Sequence, residues 1–196
     1  RAQMFRYTNS FKEARFLRAY FYFNLVRAYG DVPYFTEMVT TDQVNSLTRT
    51  PAQEIFNAII AECDKLSTEL PADYTKLGLD GIAPAENGRV TCYAALALKA
   101  RAALYAASPL FNPENNKDLW RRAAEANKEV IETCTANGFK LSKYSELWGP
   151  NNWSNNEMIF VRRYNGNIST LEEYNFPMGV PGGNSGNCPT QNMVDA

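Results

Sequence analysis

The sequence contains no histidine. This absence excludes Ser-His-Asp and Cys-His nucleophilic catalysis, and every His-ligated metal site, from these 196 residues. There is no run of 18 apolar residues, so the sequence predicts no transmembrane helix. Its formal net charge is only −1, which argues against a nucleic-acid-binding protein because such a protein carries a basic stripe on its surface.

Motifs for phosphate and carboxylate chemistry are lacking as well. The Gly-rich segment 181–186 has no Lys-Ser or Lys-Thr ending and no helix behind it, which excludes a P-loop. Glu172 and Glu173 are adjacent and read as a solvated pair rather than as the two carboxylates of a glycosidase. No acid/base constellation is present, so we predict a protein that is not an enzyme and uses no cofactor or metal.

The four cysteines, Cys63, Cys92, Cys134 and Cys188, do not have the spacing of a zinc site or a redox motif. The first three fall on or beside predicted helix faces, where we interpret them as small buried apolar residues. A disulfide between Cys63 and Cys134 stays open, because its geometry cannot be read from a sequence.

The composition is that of a globular protein, with 45% hydrophobic and 21% charged residues. A chain of this size buries roughly 70% of the surface that it exposes when unfolded, so a real core is possible. It opens on Arg1 without an initiator Met and closes on Ala196 without a terminating element. We therefore expect an interior piece of a longer protein.

The first predicted helix spans Ser10–Tyr29. Ser10 and Glu13 have the spacing of a capping box, Gly30 suits a left-handed residue after the last turn, and Pro33 prevents a restart. Apolar residues recur at helical spacing and predict the buried face. That predicted face consists of Leu17, Tyr20, Phe21, Asn24, Leu25 and Ala28.

The second predicted helix follows an irregular connection over residues 31–50. It begins with Thr50 as cap, Pro51 in the first position and Gln53 closing a capping box, and it ends before Pro71. Its apolar residues again recur at helical spacing, which predicts one buried face. They are Ile55, Phe56, Ile59, Ile60, Cys63, Leu66 and Leu70.

Two further helices are predicted, and they differ in pattern. One runs from Arg89 or Thr91 to Ala107 and is apolar on nearly every side, which is typical of a helix buried among neighbours. The other is capped by Asp118 and has Gly138 just after its end. The predicted face of the latter consists of Trp120, Ala123, Ala124, Asn127, Val130, Ile131 and Cys134.

These elements predict a mainly α fold of stacked, tetratricopeptide-like helical hairpins. The helical region covers residues 1–140, with loops at 31–50 and 72–88. Residues 141–196 are rich in Gly, Pro and Asn and include a strand candidate over 158–164. We therefore predict a loop-rich and partly β C-terminal region that is not complete within this chain.

Four stretches together resemble one protein family. They are 13–19 (EARFLRA) followed by 29–33 (YGDVP), then 88–91 (GRVT) with the alanine-rich 94–104, then 156–160 (NEMIF), and finally 189–196 (PTQNMVDA). In sequence, order and spacing they resemble the SusD/RagB-like outer-membrane lipoproteins of Bacteroidetes. The resemblance covers nearly the whole chain.

The resemblance implies a surface-exposed lipoprotein of the outer membrane that captures a nutrient, usually an oligosaccharide or polysaccharide and sometimes a peptide. Such a protein acts as a lid on a SusC-like, TonB-dependent β-barrel transporter. Its signal, lipid anchor and remaining domain would lie outside this chain, and no nucleic acid is a partner. The helices and the loops 31–50 and 72–88 would face the transporter, and residues 164–187 the ligand.

Aromatic side chains in the C-terminal loops are the candidates for ligand contact. Sugars present apolar ring faces and outward hydroxyls, so their sites combine exposed aromatic rings with amides and Arg. Alternatively, Trp148 and Trp153 pin their loop onto the fourth helix, Tyr174 and Asn175 have structural roles, and the Asn residues form turns. The candidate ligand-binding residues are Trp153, Arg163, Tyr164, Asn165, Tyr174, Asn175, Phe176 and Asn184.

Two other classes of function remain open at this point. A helical-repeat scaffold for protein partners would expose apolar helix faces without involving the loops. An enzyme whose catalytic groups lie elsewhere would show a deep cleft with two close carboxylates.

Overall fold

The computed structural model describes residues 2–74, 88–147, 155–161, 174–186 and 193, and the side chains from residue 9 onward. The chain divides into two compact units, Arg1–Val161 and Arg162–Ala196. The described part is mainly α, which confirms the predicted fold class. Its elements are α1 (Ala2–Tyr29), α2 (Thr41–Val44), α3 (Ala52–Glu69), α4 (Cys92–Ala107), α5 (Lys117–Ala136) and a 3-10 turn (Tyr144–Glu146).

The four long helices of the first unit pack side by side in chain order, α1 to α3 to α4 to α5. Neighbours run antiparallel. Arg15, in the first half of α1, pairs with Glu69 at the end of α3. Gln53, at the start of α3, donates to the carbonyl of Ala106 at the end of α4. The arrangement is a row of helical hairpins, which short connections such as residues 108–116 impose on sequential helices.

The core lies where α1, α3 and α4 meet. The Phe23 ring of α1 lies 6.5 Å from the Phe56 ring of α3 and 5.2 Å from the Tyr105 ring of α4, measured between centroids. The predicted apolar face of α3 is buried in full, from Ile55 to Leu70. The small side chains of α4 are buried on most of its sides, as its all-round apolar pattern predicts, and they allow close approach of its neighbours.

Helix α1 begins at Ala2, eight residues before the predicted start. Ser10 and Glu13 therefore lie inside the helix, and the predicted capping box is wrong. Glu13 instead forms an ion pair with Arg89, which the sequence separates from it by 76 residues. The spacing of Ser10 and Glu13 suggested a capping box, and it could not reveal Arg89 because Arg89 is distant in sequence.

The buried face of α1 is also different from the predicted one. Phe16, Phe23 and Val26 are buried against α3 and α4, whereas Phe21 is 59% exposed. Both faces carry large apolar residues, so the helical period cannot choose between them. Packing against α3 determines which face of α1 is buried. The residues of the predicted face that are exposed as large apolar side chains are Leu17, Tyr20, Phe21 and Leu25.

The helix ends agree only partly with prediction. Gly30 has φ +70° and Gly138 has φ +88°, which confirms both as left-handed residues after a helix. At the start of α3, however, the Asp31 carboxylate accepts from the Ala52 N–H at 2.7 Å, and Thr50 is not the cap. Helix α5 is capped by the Asn116 side chain, which accepts from the Asp118 N–H, so the prediction of Asp118 as cap is wrong.

The face of α5 is shifted from the predicted one. Ala123 and Cys134 are buried as predicted, but Ala126 replaces Ile131, which is exposed. Cys63, Cys92 and Cys134 are free, so the possible Cys63–Cys134 disulfide is absent. Cys188 lies outside the described residues.

The segment 155–161, at the end of the first unit, packs against earlier residues of the same unit. Within these residues there is no strand, so the described part of the candidate strand at 158–164 is wrong. The Glu157 carboxylate accepts from the Ser142 N–H at 2.8 Å, and the Lys140 N–H donates to the Asn156 carbonyl at 3.3 Å. The Phe160 ring meets the Phe16 ring of α1 edge-on at 5.5 Å. The segment is therefore an irregular strap and not part of a sheet.

Candidate ligand-binding site

The described loop of the second unit, residues 174–186, is closed by main-chain hydrogen bonds. The Gly186 N–H donates to the Tyr174 carbonyl at 2.6 Å, and the Ser185 N–H donates to the Phe176 carbonyl at 2.9 Å. The Met178 N–H donates to the Ser185 hydroxyl at 2.7 Å. Because its two ends are joined, the loop holds its side chains in a defined arrangement.

Turns inside this loop use the residues that tolerate a left-handed backbone. Gly179 has φ +103° and Gly182 has φ +84°. Ser185 also has a positive φ, +50°, which an L-residue rarely adopts. Its bonds to Phe176 and Met178 support this conformation.

Four of the eight predicted ligand-binding residues belong to this loop: Tyr174, Asn175, Phe176 and Asn184. The Tyr174 side chain is 52% exposed and that of Phe176 is 42% exposed, and Asn184 is also exposed. The loop thus brings exposed rings and amides into one short closed segment. The other four, Trp153, Arg163, Tyr164 and Asn165, lie outside the described residues, as does Trp148.

The charged residues of the first motif, residues 13–19, connect helices. Glu13 receives two hydrogen bonds from the Arg89 guanidinium, at 2.7 and 2.8 Å, and a third from the Tyr74 hydroxyl at 2.8 Å. The Val90 carbonyl lies 2.9 Å from the same hydroxyl oxygen, so Glu13 and Val90 share the single hydroxyl proton of Tyr74. The Arg89 guanidinium lies 4.8 Å from the centre of the Tyr74 ring. This cluster ties α1 to the chain that enters α4.

Arg15 connects α1 to α3. Its guanidinium contacts Glu62 at 2.7 Å and Glu69 at 2.6 Å. The hydrogen bond with Glu62 raises the pKa of Arg15 above its ordinary value, and burial opposes this only in part. Arg18 donates to the Thr36 carbonyl at 3.0 Å and so holds the loop after α1. The charged residues of the motif thus hold α1 to its neighbours through ion pairs and hydrogen bonds. The sequence analysis missed this role, although charged residues within an apolar helix are a signal for it.

A groove of about 290 Å³ lies between α3, α4 and α5. Its central charge, Lys99, contacts Asp64 and Glu129 at 2.6 Å each. Burial works to lower the pKa of Lys99, but the hydrogen bonds to the two carboxylates outweigh it and the pKa is raised. Lys99 thus joins α4 to α3 and α5 through the two ion pairs.

The described thiols are not activated. Burial raises the pKa of Cys63 to about 12, and burial also raises the pKa of Cys92 and of Cys134. Such thiols stay protonated at neutral pH and are poor nucleophiles. Within the described ranges, no group of three or more Cys, Asp and Glu side chains could hold a metal ion. In the same ranges, no helix is long and apolar enough to cross a membrane.

The first unit is a row of antiparallel helical hairpins, and the described loop of the second unit presents aromatic and amide groups. A family model described as starch-binding and associating with the outer membrane, SusD-like, matches residues 3–104. The match covers more than half of the chain. This chain therefore belongs to the SusD-like family, whose members are binding proteins.

Relatives and solved structures agree with this assignment. Two SusD-like proteins of Formosa agariphila are 25% and 27% identical over 76% and 81% of this chain. Among solved structures, a SusD-like carbohydrate binding protein from Bacteroides fragilis is 28% identical over 81% of this chain, with a TM-score of 0.62. Surface glycan-binding protein A from Bacteroides uniformis, 24% identical, shares the fold with a TM-score of 0.58.

The chain spans about a quarter of the length of the curated relatives it matches, 24% and 28% of them. It likewise covers 27% of the Bacteroides fragilis carbohydrate binding protein. The family and the fold are established over this quarter. The substrate and partners of the whole protein are therefore matters for proposal.

Proposed function

We propose that this protein captures an oligosaccharide or polysaccharide at the cell surface and delivers it to a SusC-like, TonB-dependent transporter of the outer membrane. One observation carries the proposal. In a member of a starch-binding family, the loop 174–186 exposes Tyr174 and Phe176 beside amide side chains instead of burying them. Aromatic rings with a few polar groups are the usual lining of a small-molecule site.

The two regions of the chain take different roles in this proposal. Residues 1–140 form the transporter-facing helical region, and residues 141–196 begin the ligand-facing region. The connection between α1 and α3 supports the first role, because its residue Met38 is 96% exposed. An exposed apolar side chain in a segment held by Arg18 and Tyr22 suits contact with another protein.

The protein acts in this proposal as a lipoprotein on the cell surface, anchored by a lipid outside this chain. It performs no catalysis and needs no cofactor. The alternative substrate is a peptide, and one observation favours it: Met178 and Val180, in the same loop, are exposed aliphatic side chains that suit contact with peptide side chains.

The experiment is a retention screen with the full-length natural protein. Soluble starch, xylan, pectin and a tryptic peptide mixture are the probes, and calorimetry measures the affinity of whichever is retained. We expect one glycan class to be retained. Retention of peptides alone would change the substrate, and retention of none would favour a scaffold that binds proteins through the exposed face of α1.

A second experiment tests delivery. Cells that produce the protein are gently solubilised and the protein is isolated through an affinity tag. We expect a β-barrel transporter in stoichiometric amount. A variant with Met38→Asp should recover less of it, whereas Leu141→Asp, which changes another highly exposed apolar residue, should not. Equal recovery with both variants would contradict the role of the α1–α3 loop.

A further inference from the structure

Tyr174 and Gly186 form the closing pair of the loop 174–186. Their main chains are joined by the 2.6 Å hydrogen bond from the Gly186 N–H to the Tyr174 carbonyl. A β-carbon added to Gly186 would lie 2.0 Å from Cε1, 2.2 Å from Cζ and 2.4 Å from Cδ1 of the Tyr174 ring. The ring therefore occupies the space where every other residue type has its side chain.

The position of this overlap shows which part of the ring meets the backbone. The added atom would be almost equally close to three consecutive ring atoms. An approach in the plane of the ring would leave the two flanking atoms much farther away than the middle one. The added atom therefore lies over one face of the ring, and Tyr174 rests with that face on the main chain at Gly186.

Backbone conformation does not explain the glycine at this position. Gly179 and Gly182, in the same loop, have positive φ values, and Gly186 does not. The left-handed region therefore does not account for Gly186, and what a larger residue would lack at this position is space. Position 186 therefore needs a glycine because the Tyr174 ring fills the space of a larger side chain.

The Tyr174 side chain is nevertheless 52% exposed. Because one face lies against Gly186, we infer that the opposite face and the hydroxyl end are the parts of the ring open to a ligand. An aromatic face has a negative potential and attracts the weakly positive C–H groups that point from one side of a sugar ring. A ring supported from behind loses little conformational freedom when a sugar stacks on it.

We propose that Gly186 is a positioning residue, which supports the Tyr174 ring as a one-sided stacking platform for a pyranose ring of the captured glycan. This inference rests on the proposed glycan-capture function and names the ring that would stack on the sugar. Gly186 itself need not touch the ligand. Its effect on binding passes through Tyr174.

A double-mutant cycle in the full-length natural protein tests the inference, with soluble starch, xylan and pectin as probes. Tyr174→Ala should weaken binding of the retained glycan about three- to ten-fold, as for the loss of one aromatic contact. Gly186→Ala should weaken it to a similar extent by displacing the ring. In the Tyr174→Ala background, Gly186→Ala should have no further effect, because the added methyl then has room.

Two further variants separate positioning from general damage to the loop. Tyr174→Phe keeps the ring and should retain affinity, with a loss below about two-fold if the hydroxyl makes no contact. By NMR, the Hα resonances of Gly186 should be shifted upfield by the ring in the wild type and in Tyr174→Phe, but not in Tyr174→Ala. This readout does not depend on a ligand.

The outcomes distinguish this inference from the proposed function. If the wild type retains a glycan but Tyr174→Ala and Gly186→Ala bind it equally well, the capture function stands and the platform is overturned. If Gly186→Ala weakens binding equally in both backgrounds, Gly186 does not act through Tyr174, and the inference is again overturned. If the wild type retains none of the glycans, the proposed function fails and the platform with it.

Discussion

Aromatic side chains are used in opposite ways in the helical stack and in the loop 174–186. In α1, Phe16 and Phe23 are each 1% exposed and pack on rings from other parts of the first unit. In the loop, Tyr174 and Phe176 are about half exposed although the loop is closed by hydrogen bonds. Aromatic content alone therefore does not locate a binding site. The surroundings of each ring do.

Glycine shows the same contrast. A β-carbon added to Gly30 would meet nothing within 4 Å, and this glycine is required by its φ of +70°. Gly186 has no positive φ, and a β-carbon added there would overlap the Tyr174 ring. One glycine ends a helix and the other makes room for a side chain. The first is recognisable from sequence and the second is not.

The largest effect should come from Phe23 on the buried side of α1, with Phe21 on the exposed side as its control. Phe23→Ala should lower the free energy of unfolding by about 3–5 kcal/mol, because it leaves a cavity between α1, α3 and α4. Phe21→Ala, its matched control on the exposed side, should change it by only about 0.5 kcal/mol. Urea denaturation of the 196-residue chain measures both. Similar losses would show that the second face of α1 is also packed.

The second-largest loss of stability should come from breaking the ion pair between Glu13 and Arg89. Arg89→Ala should cost about 1–3 kcal/mol, because it leaves the partly buried Glu13 carboxylate without its bidentate partner. Lys128→Ala, which removes an exposed pair with Glu132, should cost less than about 1 kcal/mol. A double-mutant cycle with Glu13→Ala should give a clear coupling energy by chemical denaturation. Additive losses would assign the cost to packing of the Arg89 stem instead.

A smaller effect is expected at the end of α1. Gly30→Val should cost about 1–2 kcal/mol, since a β-branched residue is strained at a positive φ although nothing lies within 4 Å of its added β-carbon. Gly30→Asn should cost less, because Asn tolerates the left-handed region. Thermal unfolding compares the two. Equal losses for Val and Asn would mean that strain at φ is not the reason for this glycine.

The smallest effect on stability should come from the loop. Tyr174→Ala should change the unfolding free energy of the 196-residue chain by only about 0.5 kcal/mol, since an exposed side chain adds little to a core. If capture depends on this ring, the same variant should still weaken glycan binding in the full-length protein. A large loss of stability would indicate that Tyr174 is structural, and the contrast with Phe23 would be lost.

Helix positions were predictable because their signals are local. Pro51 and Pro71 bracket α3, and Gly30 and Gly138 follow the ends of α1 and α5. These residues act through their own backbone preferences, which do not depend on the rest of the chain. The buried face of α3 was predictable for a related reason, since only one side of that helix is apolar.

The candidate site was only partly predictable. The sequence predicted aromatic and amide ligand contacts from Trp153 to Asn184, and the structure brings Tyr174, Phe176 and Asn184 of this set into one closed loop. The closure itself depends on bonds from Ser185 and Gly186, which carry no motif. Whether this loop binds a glycan stays a prediction.

By itself the sequence determined the presence of the four long helices, the glycines that follow α1 and α5, and the family, because these signals depend on neighbouring residues. Only the tertiary structure decided which side of α1 is buried, that Glu13 pairs with Arg89, and that Asp31 caps α3. It also decided that Tyr174 rests on Gly186. These outcomes depend on residues far apart in sequence, and the pairing of distant groups is settled only when the whole unit packs.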